Sequence, residues 1–582
     1  MLSPAIRWSF CFLLLLPVAA TGATLKYSVA GIKGKSLRNV EAYLGPPPET
    51  DSDRLNFISA ARTKVENALQ ALGYYQPDIT LTVQRTDPVW ALDIQVQQGE
   101  PVRIRDIDIQ ILGPASDDED ITRLLDNIGF AAGDPLHHGH FEDFRKRLLS
   151  TGQQQGYLNG KITQSRVAVQ VEAGTADVSI TYASGPRFRF GEILYDKALI
   201  DPQLFDSLST VEPGAYFEQS KLRKLQSSLQ QTNYFSSVIV QPVRKRINRG
   251  QVPIEVRLQA AKRHSFEVGV GYSTDTEERV SMTWRTPKIN RYGHSQITRV
   301  EYSPVNPSGR FTYSIPITDP LTDVAQLWLR LEENEYGDLK SQQLETGARR
   351  EKKQDAWVYS YSLRGLRESW DAWYNDLEND YLLLGGIVSS RKYQGSVVDP
   401  SGGFSQLYTL EGGSEALASD IDLLRMTAEF RYIVTPWQRH RFVGRAELGA
   451  VEIASGDRSN LAPSLSFFAG GSQSIRGYAY QSVGVDEYVQ RADGTTKKLV
   501  VGGDRLVVGS LEYQYYFTDT WRGALYVDGG DAFDEGDFDA RVGAGFGIHY
   551  ITPVGAFRVE IANSVSENNP SWYFHLTIGA EF

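Results

Sequence analysis

Residues 572–582, WYFHLTIGAEF, alternate between two kinds of side chain. The even-numbered positions are apolar, from Trp572 and Phe574 to Phe582, whereas Thr577, Gly579 and Glu581 lie between them. Successive side chains of a β-strand point to opposite faces, so the pattern predicts a strand with one apolar face. Such a strand fits the wall of a transmembrane β-barrel, where lipid-facing and lumen-facing residues alternate.

Segments of the same kind continue upstream and predict a barrel over 263–582. With the last strand they number sixteen, an even number as a closed antiparallel outer-membrane barrel requires, and each is long enough to cross a bilayer with tilt. The other fifteen lie near 265–273, 279–286, 295–303, 309–316, 324–334, 339–350, 355–367, 378–389, 403–412, 423–432, 440–452, 505–517, 521–528, 539–549 and 555–563. A large soluble β-sandwich is the alternative, but it does not account for the terminal Phe582, which is similar to the sorting signal of outer-membrane barrels.

The first predicted barrel strand has a thin inner face. Phe266, Val268 and Val270 lie on one face, and Gly269 and Gly271 lie on the other. Glycine weakens a strand because it offers no side chain to pack. We therefore expect the junction between the first and last strands to be a weak seam, with Gly269 and Gly271 on one side and Phe582 on the other.

The first half of the chain contains a repeat. LGYY at 72–75, QGYL at 155–158 and TNYF at 232–235 are spaced by 83 and 77 residues, and GEPVRI at 99–104 recurs as GPRFRF at 185–190. A fixed period in two markers indicates duplicated units. In each unit the periodicity predicts strand, helix, helix, strand, strand, which gives three α+β domains over 24–101, 102–186 and 187–262.

Residues 1–23 are predicted to be a secretory signal peptide. Arg7 precedes an apolar run, and small residues follow Pro17. Cleavage after Ala20 and cleavage after Ala23 both fit. Cys11 lies inside the apolar run rather than at its end, so no lipid anchor is predicted.

Composition excludes several classes of function. Lys and Arg number 60 against 71 Asp and Glu, giving a net charge of −11, and no basic tract occurs, which argues against nucleic-acid binding. A single cysteine excludes a disulfide framework and a cysteine-ligated zinc site. No motif supports a catalytic Ser/His/Asp set, so we predict neither an enzyme nor a cofactor.

The longest predicted non-strand stretch of the barrel half, 454–504, carries Arg476-Gly477-Tyr478. It joins the eleventh and twelfth predicted strands, and loops of this length are usually functional or disordered. Alternation places Glu512 and Asp528 on the lumenal face of the two strands that follow. A guanidinium can pair with such carboxylates in forked geometry, and Gly477 allows a tight bend beside it.

Together these features resemble the BamA/TamA-type outer-membrane insertase superfamily, and within it the TamA group. The Arg-Gly-Tyr loop tip marks the superfamily; the three repeats and the chain length point to the group. Strings that carry the likeness include LGYYQP at 72–77, GVGYSTD at 269–275, YGHS at 292–295, RHRFV at 439–443 and GSLEYQY at 509–515. The resemblance implies that the three α+β units are POTRA domains, the polypeptide-transport-associated modules.

The resemblance also implies location, partners and site. The barrel would sit in the cell outer membrane with the POTRA domains in the periplasm. Arg476 would pair with Glu512 and Asp528. The protein would assist the insertion or secretion of outer-membrane proteins such as autotransporters, with a TamB-type periplasm-spanning partner. Contact with outer-membrane lipid follows, and phospholipid transport between membranes is a further implied role.

The sequence offers less support for two other functions. A two-partner secretion pore typically carries two POTRA domains and an N-terminal plug helix. Here three repeats begin soon after the predicted signal peptide, which leaves no room for a plug helix. A barrel enzyme needs a catalytic set that the sequence does not offer. His137, His138 and His140 with Glu142 form a possible metal cluster, but they are interpreted as a solvated helix start, so no metal site is predicted.

Overall fold

The computed structural model describes residues 24–48, 50–86, 89–371, 376–396, 398–455, 458–490, 495–553 and 555–579. The predicted signal peptide and Phe582 lie outside these residues. The chain divides into two compact units. One contains residues up to Ile193 with 211–222 and 242–254; the other contains 194–210, 223–241 and 255–582, so the third module contributes to both. In the described residues, no helix combines the length and apolar character needed to span a membrane.

The first module is a three-stranded sheet with two helices. Its elements are β1 (Thr24–Ala30), α1 (Gly34–Leu44), α2 (Asp51–Gln70), β2 (Asp78–Thr86) and β3 (Val89–Gln97). The sheet order is β1-β3-β2, with β1 parallel and β2 antiparallel to β3. Val65, Leu69 and Leu92 are among the buried residues of its core, because the apolar stripe of α2 faces the apolar positions of the strands.

The second and third modules repeat this order. The second contains β4 (Arg103–Leu112), α3 (Glu119–Asp126), α4 (His138–Gln154), β5 (Lys161–Gln170) and β6 (Thr175–Ala183). The third contains β7 (Arg189–Leu194), α5 (Pro202–Leu208), α6 (Gln219–Gln231), β8 (Phe235–Pro242) and β9 (Gln251–Ala260). Their sheet orders, β4-β6-β5 and β7-β9-β8, match that of the first. The predicted fold class is confirmed; the module boundaries at 101/102, 186/187 and 262/263 stay a prediction.

The glycine that recurs in the first two modules is explained by its backbone conformation. Gly73 and Gly156 have φ of 92° and 91°, which favours glycine. A Cβ at Gly73 would overlap the Leu136 carbonyl, and one at Gly156 would lie 2.7 Å from the Phe217 carbonyl oxygen. Each glycine therefore ends a helix where the next module comes close.

Sixteen antiparallel strands close into a barrel in sequence order, as predicted. The first eight are β10 (Ser265–Ser273), β11 (Glu277–Thr286), β12 (Ser295–Tyr302), β13 (Ser308–Pro316), β14 (Asp323–Tyr336), β15 (Leu339–Gln354), β16 (Trp357–Asp371) and β17 (Asp376–Gly395). The next three are β18 (Pro400–Gly413), β19 (Asp422–Trp437) and β20 (His440–Ser455). After the long loop come β23 (Arg505–Tyr516), β24 (Trp521–Phe533), β25 (Arg541–Thr552), β26 (Gly555–Ser564) and β27 (Trp572–Gly579).

The long loop itself differs from the prediction. Residues 454–504 were expected to hold no strand, but β21 (Val485–Gln490) and β22 (Thr496–Val501) form a two-stranded hairpin inside it. The segment DEYVQ at 486–490 is too short and too polar to show the apolar alternation used to find the barrel strands. The loop is therefore partly built of regular structure.

The apolar faces of the strands point outward. Phe266, Val268 and Val270 are 59%, 74% and 82% exposed, as expected for side chains that contact lipid rather than protein. Leu511 and Leu525 are exposed in the same way, whereas Asp528 is fully buried. The wall therefore directs polar side chains such as Asp528 into the lumen.

A closed barrel of this kind is expected to resist detergent. Unheated protein on a detergent gel is expected to migrate faster than boiled protein, because the intact ladder keeps the barrel compact. Identical mobility of the two samples would contradict the barrel. Solubility in the absence of detergent would contradict it independently.

Candidate functional site

Arg476 lies at the tip of the loop between β20 and β23 and is buried in the lumen, with 2% of its side chain exposed. Its Nε donates to Asp528 Oδ2 at 2.7 Å and its Nη2 to Asp528 Oδ1 at 2.9 Å, a forked pairing. Its Nη1 donates to Glu512 Oε2 at 2.7 Å. The structure therefore brings Arg476, Glu512 and Asp528 together.

Two further wall residues contact the Arg476 guanidinium. Glu560 of β26 accepts from Arg476 Nη1 at 3.2 Å, and the guanidinium carbon lies 3.3 Å from the ring centroid of Tyr526. Sequence reasoning missed both. The outward exposure of Phe557 and Val559 shows that alternation along β26 would have placed Glu560 in the lumen.

The backbone around Arg476 is also fixed. The amide of Arg476 donates to Asp528 Oδ2 at 3.0 Å. Gly477 has φ of 102°, and a Cβ there would lie 3.0 Å from the Asn563 backbone, so only glycine fits without strain. The Tyr478 hydroxyl lies 2.8 Å from Ser566 Oγ. The Arg-Gly-Tyr tip is thus held by β24, by β26 and by the turn that follows β26.

Glu512, His549 and Glu560 offer three ligand atoms within 4.8 Å of one another, a spacing that suits a metal ion. The hydrogen bonds argue against that use. Arg522 Nε donates to His549 Nδ1 at 3.1 Å, so a neutral imidazole carries its proton on Nε2, which faces Glu560 Oε1 at 2.9 Å. Since Nε2 then has no free lone pair, the set fits a guanidinium better than a metal.

The loop has other anchors on the wall. Asp275, in the turn after β10, accepts from Ser472 N at 2.8 Å and from Ser472 Oγ at 2.6 Å. On other strands, Glu368 accepts from Ser464 N at 3.1 Å, and the Tyr381 hydroxyl accepts from Ala462 N at 2.9 Å. Loop residues including Phe467, Ile475 and Tyr478 pack with wall residues in one buried apolar cluster. The loop is a packed element of the lumen.

Gly543 of β25 makes this packing possible, because a Cβ there would overlap the Arg476 carbonyl oxygen. Gly543→Ala is therefore expected to push the loop tip off the wall while leaving every charged partner in place. Overpacking costs about 1–3 kcal/mol. The measurement is chymotrypsin cleavage after Phe467 and Tyr478, which are 4% and 7% exposed in the folded protein.

Gly509→Ala is the matched control. Gly509 lies on β23, two strands away from Gly543, and nothing lies within 4 Å of the Cβ position. This variant is expected to resist chymotrypsin as the parent does. Equal cleavage of both variants would mean that strand glycines act on barrel stability in general and not on the loop tip.

The predicted seam joins β10, which carries Gly269 and Gly271, to β27, and Phe582 lies outside the described residues. Across this junction the described ladder contains two pairs, Tyr272 with Ile578 and Ser273 with Thr577. The described part of β27 ends at Gly579, so these two pairs lie at the end of the described ladder. Gly269 lies outside the described seam pairs, and a Cβ at Gly271 would lie 3.6 Å from the Ile578 carbonyl oxygen.

The histidines at the start of α4 contact one another and the neighbouring module. The rings of His137 and His140 stack with centroids 4.1 Å apart, and His138 Nε2 lies 2.6 Å from the Tyr75 hydroxyl. Burial lowers the pKa of His137 and of His138, which favours neutral rings. His138 therefore links the second module to the segment that follows α2.

Comparison with known proteins places these features in a family. The Omp85 superfamily domain matches residues 261–582, and the first POTRA domain of TamA matches residues 26–98. The structure is similar to that of BamA from Haemophilus ducreyi lacking POTRA domains 1–3, with a TM-score of 0.72 and 15% identity over 82% of this chain and 99% of that chain.

Two other solved structures have lower scores. CdiB from Acinetobacter baumannii has a TM-score of 0.45 and 13% identity over 82% of this chain and 90% of that chain. CdiB from Escherichia coli has a TM-score of 0.43 and 10% identity over 91% of this chain and 99% of that chain. The likeness to BamA shows a shared fold, and the superfamily domain covers more than half of the 582 residues. The chain therefore belongs to the Omp85 superfamily, whose members are outer-membrane β-barrels with POTRA domains in the periplasm.

Proposed function

We propose that this protein is a non-enzymatic assembly factor that helps outer-membrane proteins such as autotransporters to enter the membrane through the seam between β10 and β27. The observation that carries the proposal is the thin inner face of the seam. Gly269 and Gly271 of β10 offer no side chain to pack on this face beside β27. A barrel opens most readily where the fewest contacts must break.

The chemistry of the edges that an opened seam frees supports strand addition. Backbone groups left unpaired in lipid cost several kcal/mol each, so an edge in the membrane favours any strand that pairs with it. A client strand that adds to β10 or β27 gains such bonds by β-augmentation. The energy for insertion then comes from the client's own strand pairing, without a nucleotide or a catalytic group.

The POTRA region supports the choice of partner. The match of residues 26–98 to the first POTRA domain of TamA favours a TamB-type periplasm-spanning protein as the partner. A pull-down with crosslinker attached to the POTRA region of the full chain tests this directly. The same partner is compatible with phospholipid transport between the membranes as a second role.

A two-partner secretion pore is the alternative function. Secretion through the lumen needs an open passage, whereas loop residues such as Phe467 and Ile475 are buried against the lumenal wall. In the structure as it stands, the packed loop favours the seam over the lumen as the working surface. Secretion through the lumen would require the loop to move out of the barrel.

The proposed function is tested by reconstitution. Liposomes that contain the full chain are expected to assemble an unfolded autotransporter β-domain faster than liposomes without it, as measured by heat-modifiable mobility of the client. Liposomes that contain an unrelated sixteen-stranded porin are the control. An equal rate in all three samples would contradict the assembly role.

A further inference from the structure

The turn between β17 and β18 lies far from the Arg476 loop along the chain, yet it contacts the same part of the wall. Asp399 in this turn accepts from Arg522 Nη1 at 2.7 Å, and both of its carboxylate oxygens lie 2.9 Å from the Tyr516 hydroxyl. Arg522 is fully buried at the start of β24. Strand order places this turn on the periplasmic side, because β10 leaves the third module and the strands alternate in direction.

A buried chain of hydrogen bonds leads from Asp399 to Arg476. Arg522, already bonded to Asp399, donates from Nε to His549 Nδ1 at 3.1 Å. His549 Nε2 lies 2.9 Å from Glu560 Oε1, and the same oxygen accepts from Arg476 Nη1 at 3.2 Å. His549 is 1% exposed and Glu560 5%, so water does not readily replace these bonds.

A second chain runs in parallel from the next residue, Pro400. Its carbonyl accepts from Arg441 Nε at 3.2 Å, and Arg441 Nη1 donates to Gln514 Oε1. Gln514 Nε2 then donates to Glu512 Oε1, and Glu512 accepts from Arg476. The Gln514 amide is oriented by both neighbours at once, since its oxygen can only accept and its nitrogen can only donate.

We infer that His549 and Gln514 are positioning residues that couple the seating of the periplasmic turn at Asp399 to the seating of the Arg476 loop. Each holds one carboxylate that binds Arg476, and each is itself held by an arginine that contacts Asp399 or Pro400. When a force from the periplasmic side moves the turn, the carboxylates that accept from Arg476 are held less firmly. When the loop withdraws, the contacts of the turn weaken in the same way. A coupling free energy of this kind is reciprocal.

The coupling is measured in purified full-length protein and does not depend on the proposed assembly activity. Cys11→Ser removes the native thiol. The loop reporter carries Ser474→Cys, at a position where the serine Oγ is buried without a hydrogen bond, and the turn reporter carries Val398→Cys. The rate at which maleimide labels the introduced thiol reports the opening of each end.

Asp399→Ala is expected to raise the labelling rate of the loop reporter about fivefold, and Arg476→Ala to raise that of the turn reporter by a similar factor, in the range typical of coupled sites. With both chains cut by His549→Leu and Gln514→Leu, each remote effect is expected to disappear. His549→Gln, which keeps a donor and an acceptor, is expected to restore part of the effect. Asp519→Ala, in the neighbouring periplasmic turn, is the matched control and is expected to leave the labelling rate of the loop reporter unchanged.

Two results would overturn the inference. One is an unchanged labelling rate at the remote end in both directions. The other is a remote effect that persists at full size after both chains are cut. Heat-modifiable mobility confirms that each variant has formed a barrel; where Arg476→Ala or Asp399→Ala fails this check, Arg476→Lys and Asp399→Asn take their places with the same expected direction.

Discussion

Arg476→Ala is expected to release the long loop while the barrel still assembles. The guanidinium is the shared partner of Glu512, Asp528 and Glu560, and its side chain is 2% exposed. Removing one partner of a buried ion pair typically costs ~3–5 kcal/mol, because the charges left behind stay desolvated. The cost destabilises the packed position of the loop and not the barrel, because backbone hydrogen bonds hold the strands together.

The expected readout is fast chymotrypsin cleavage after Phe467 and Tyr478, with heat-modifiable mobility of the barrel retained. Arg367→Ala is the matched control. Arg367 also makes a forked pair, with Asp380, but its side chain is 56% exposed, so water replaces the lost bonds and the loop is expected to stay protected. Adding Asp528→Asn to Arg476→Ala is expected to restore part of the protection by removing one of the buried negative charges that Arg476 neutralises. Protection equal to the parent's in Arg476→Ala would contradict the pairing as the main anchor.

The strands of the barrel wall could be predicted from the sequence, because their side chains face lipid and lumen alternately and so repeat with a period of two residues. Val527 must contact lipid, so Asp528 must face the lumen, and the same parity places Glu512 there. The count of strands follows from the same signal. The same parity holds on β26, where Phe557 and Val559 contact lipid and Glu560 faces the lumen.

Other features could not be predicted from alternation. Asp275 and Ser472 are 197 positions apart, and only tertiary folding brings them to hydrogen-bond distance. The seam register is equally hidden, because alternation fixes the face of a side chain and not its partner on the other strand. The hairpin of β21 and β22 could not be predicted in this way because its two strands pair with each other outside the barrel sheet, so no regular apolar face toward lipid is required of them.

Locking the seam is expected to abolish client assembly. Ser273 and Thr577 lie directly opposite each other, and the adjacent bond from Thr274 N to Leu576 O is 3.1 Å long. In antiparallel strands, opposed residues lie about 4.5–5.5 Å apart between Cα atoms, which suits a disulfide. Ser273→Cys with Thr577→Cys is therefore expected to oxidise in the membrane. Since a covalent bond prevents β10 and β27 from separating, client assembly is expected to stop and to return on reduction.

The matched control is Thr409→Cys with Thr427→Cys, which staples β18 to β19 at directly opposed positions far from the seam. Both proteins carry one disulfide across a pair of neighbouring strands, so general rigidity and exposure to oxidant are the same. The control is expected to assemble clients at the parent rate in both redox states. If the seam variant alone loses activity, client assembly requires β10 and β27 to separate. Full activity of a quantitatively oxidised seam variant would instead leave the POTRA edges or the lumen as the working surface, because a barrel closed by a covalent bond cannot admit a strand there.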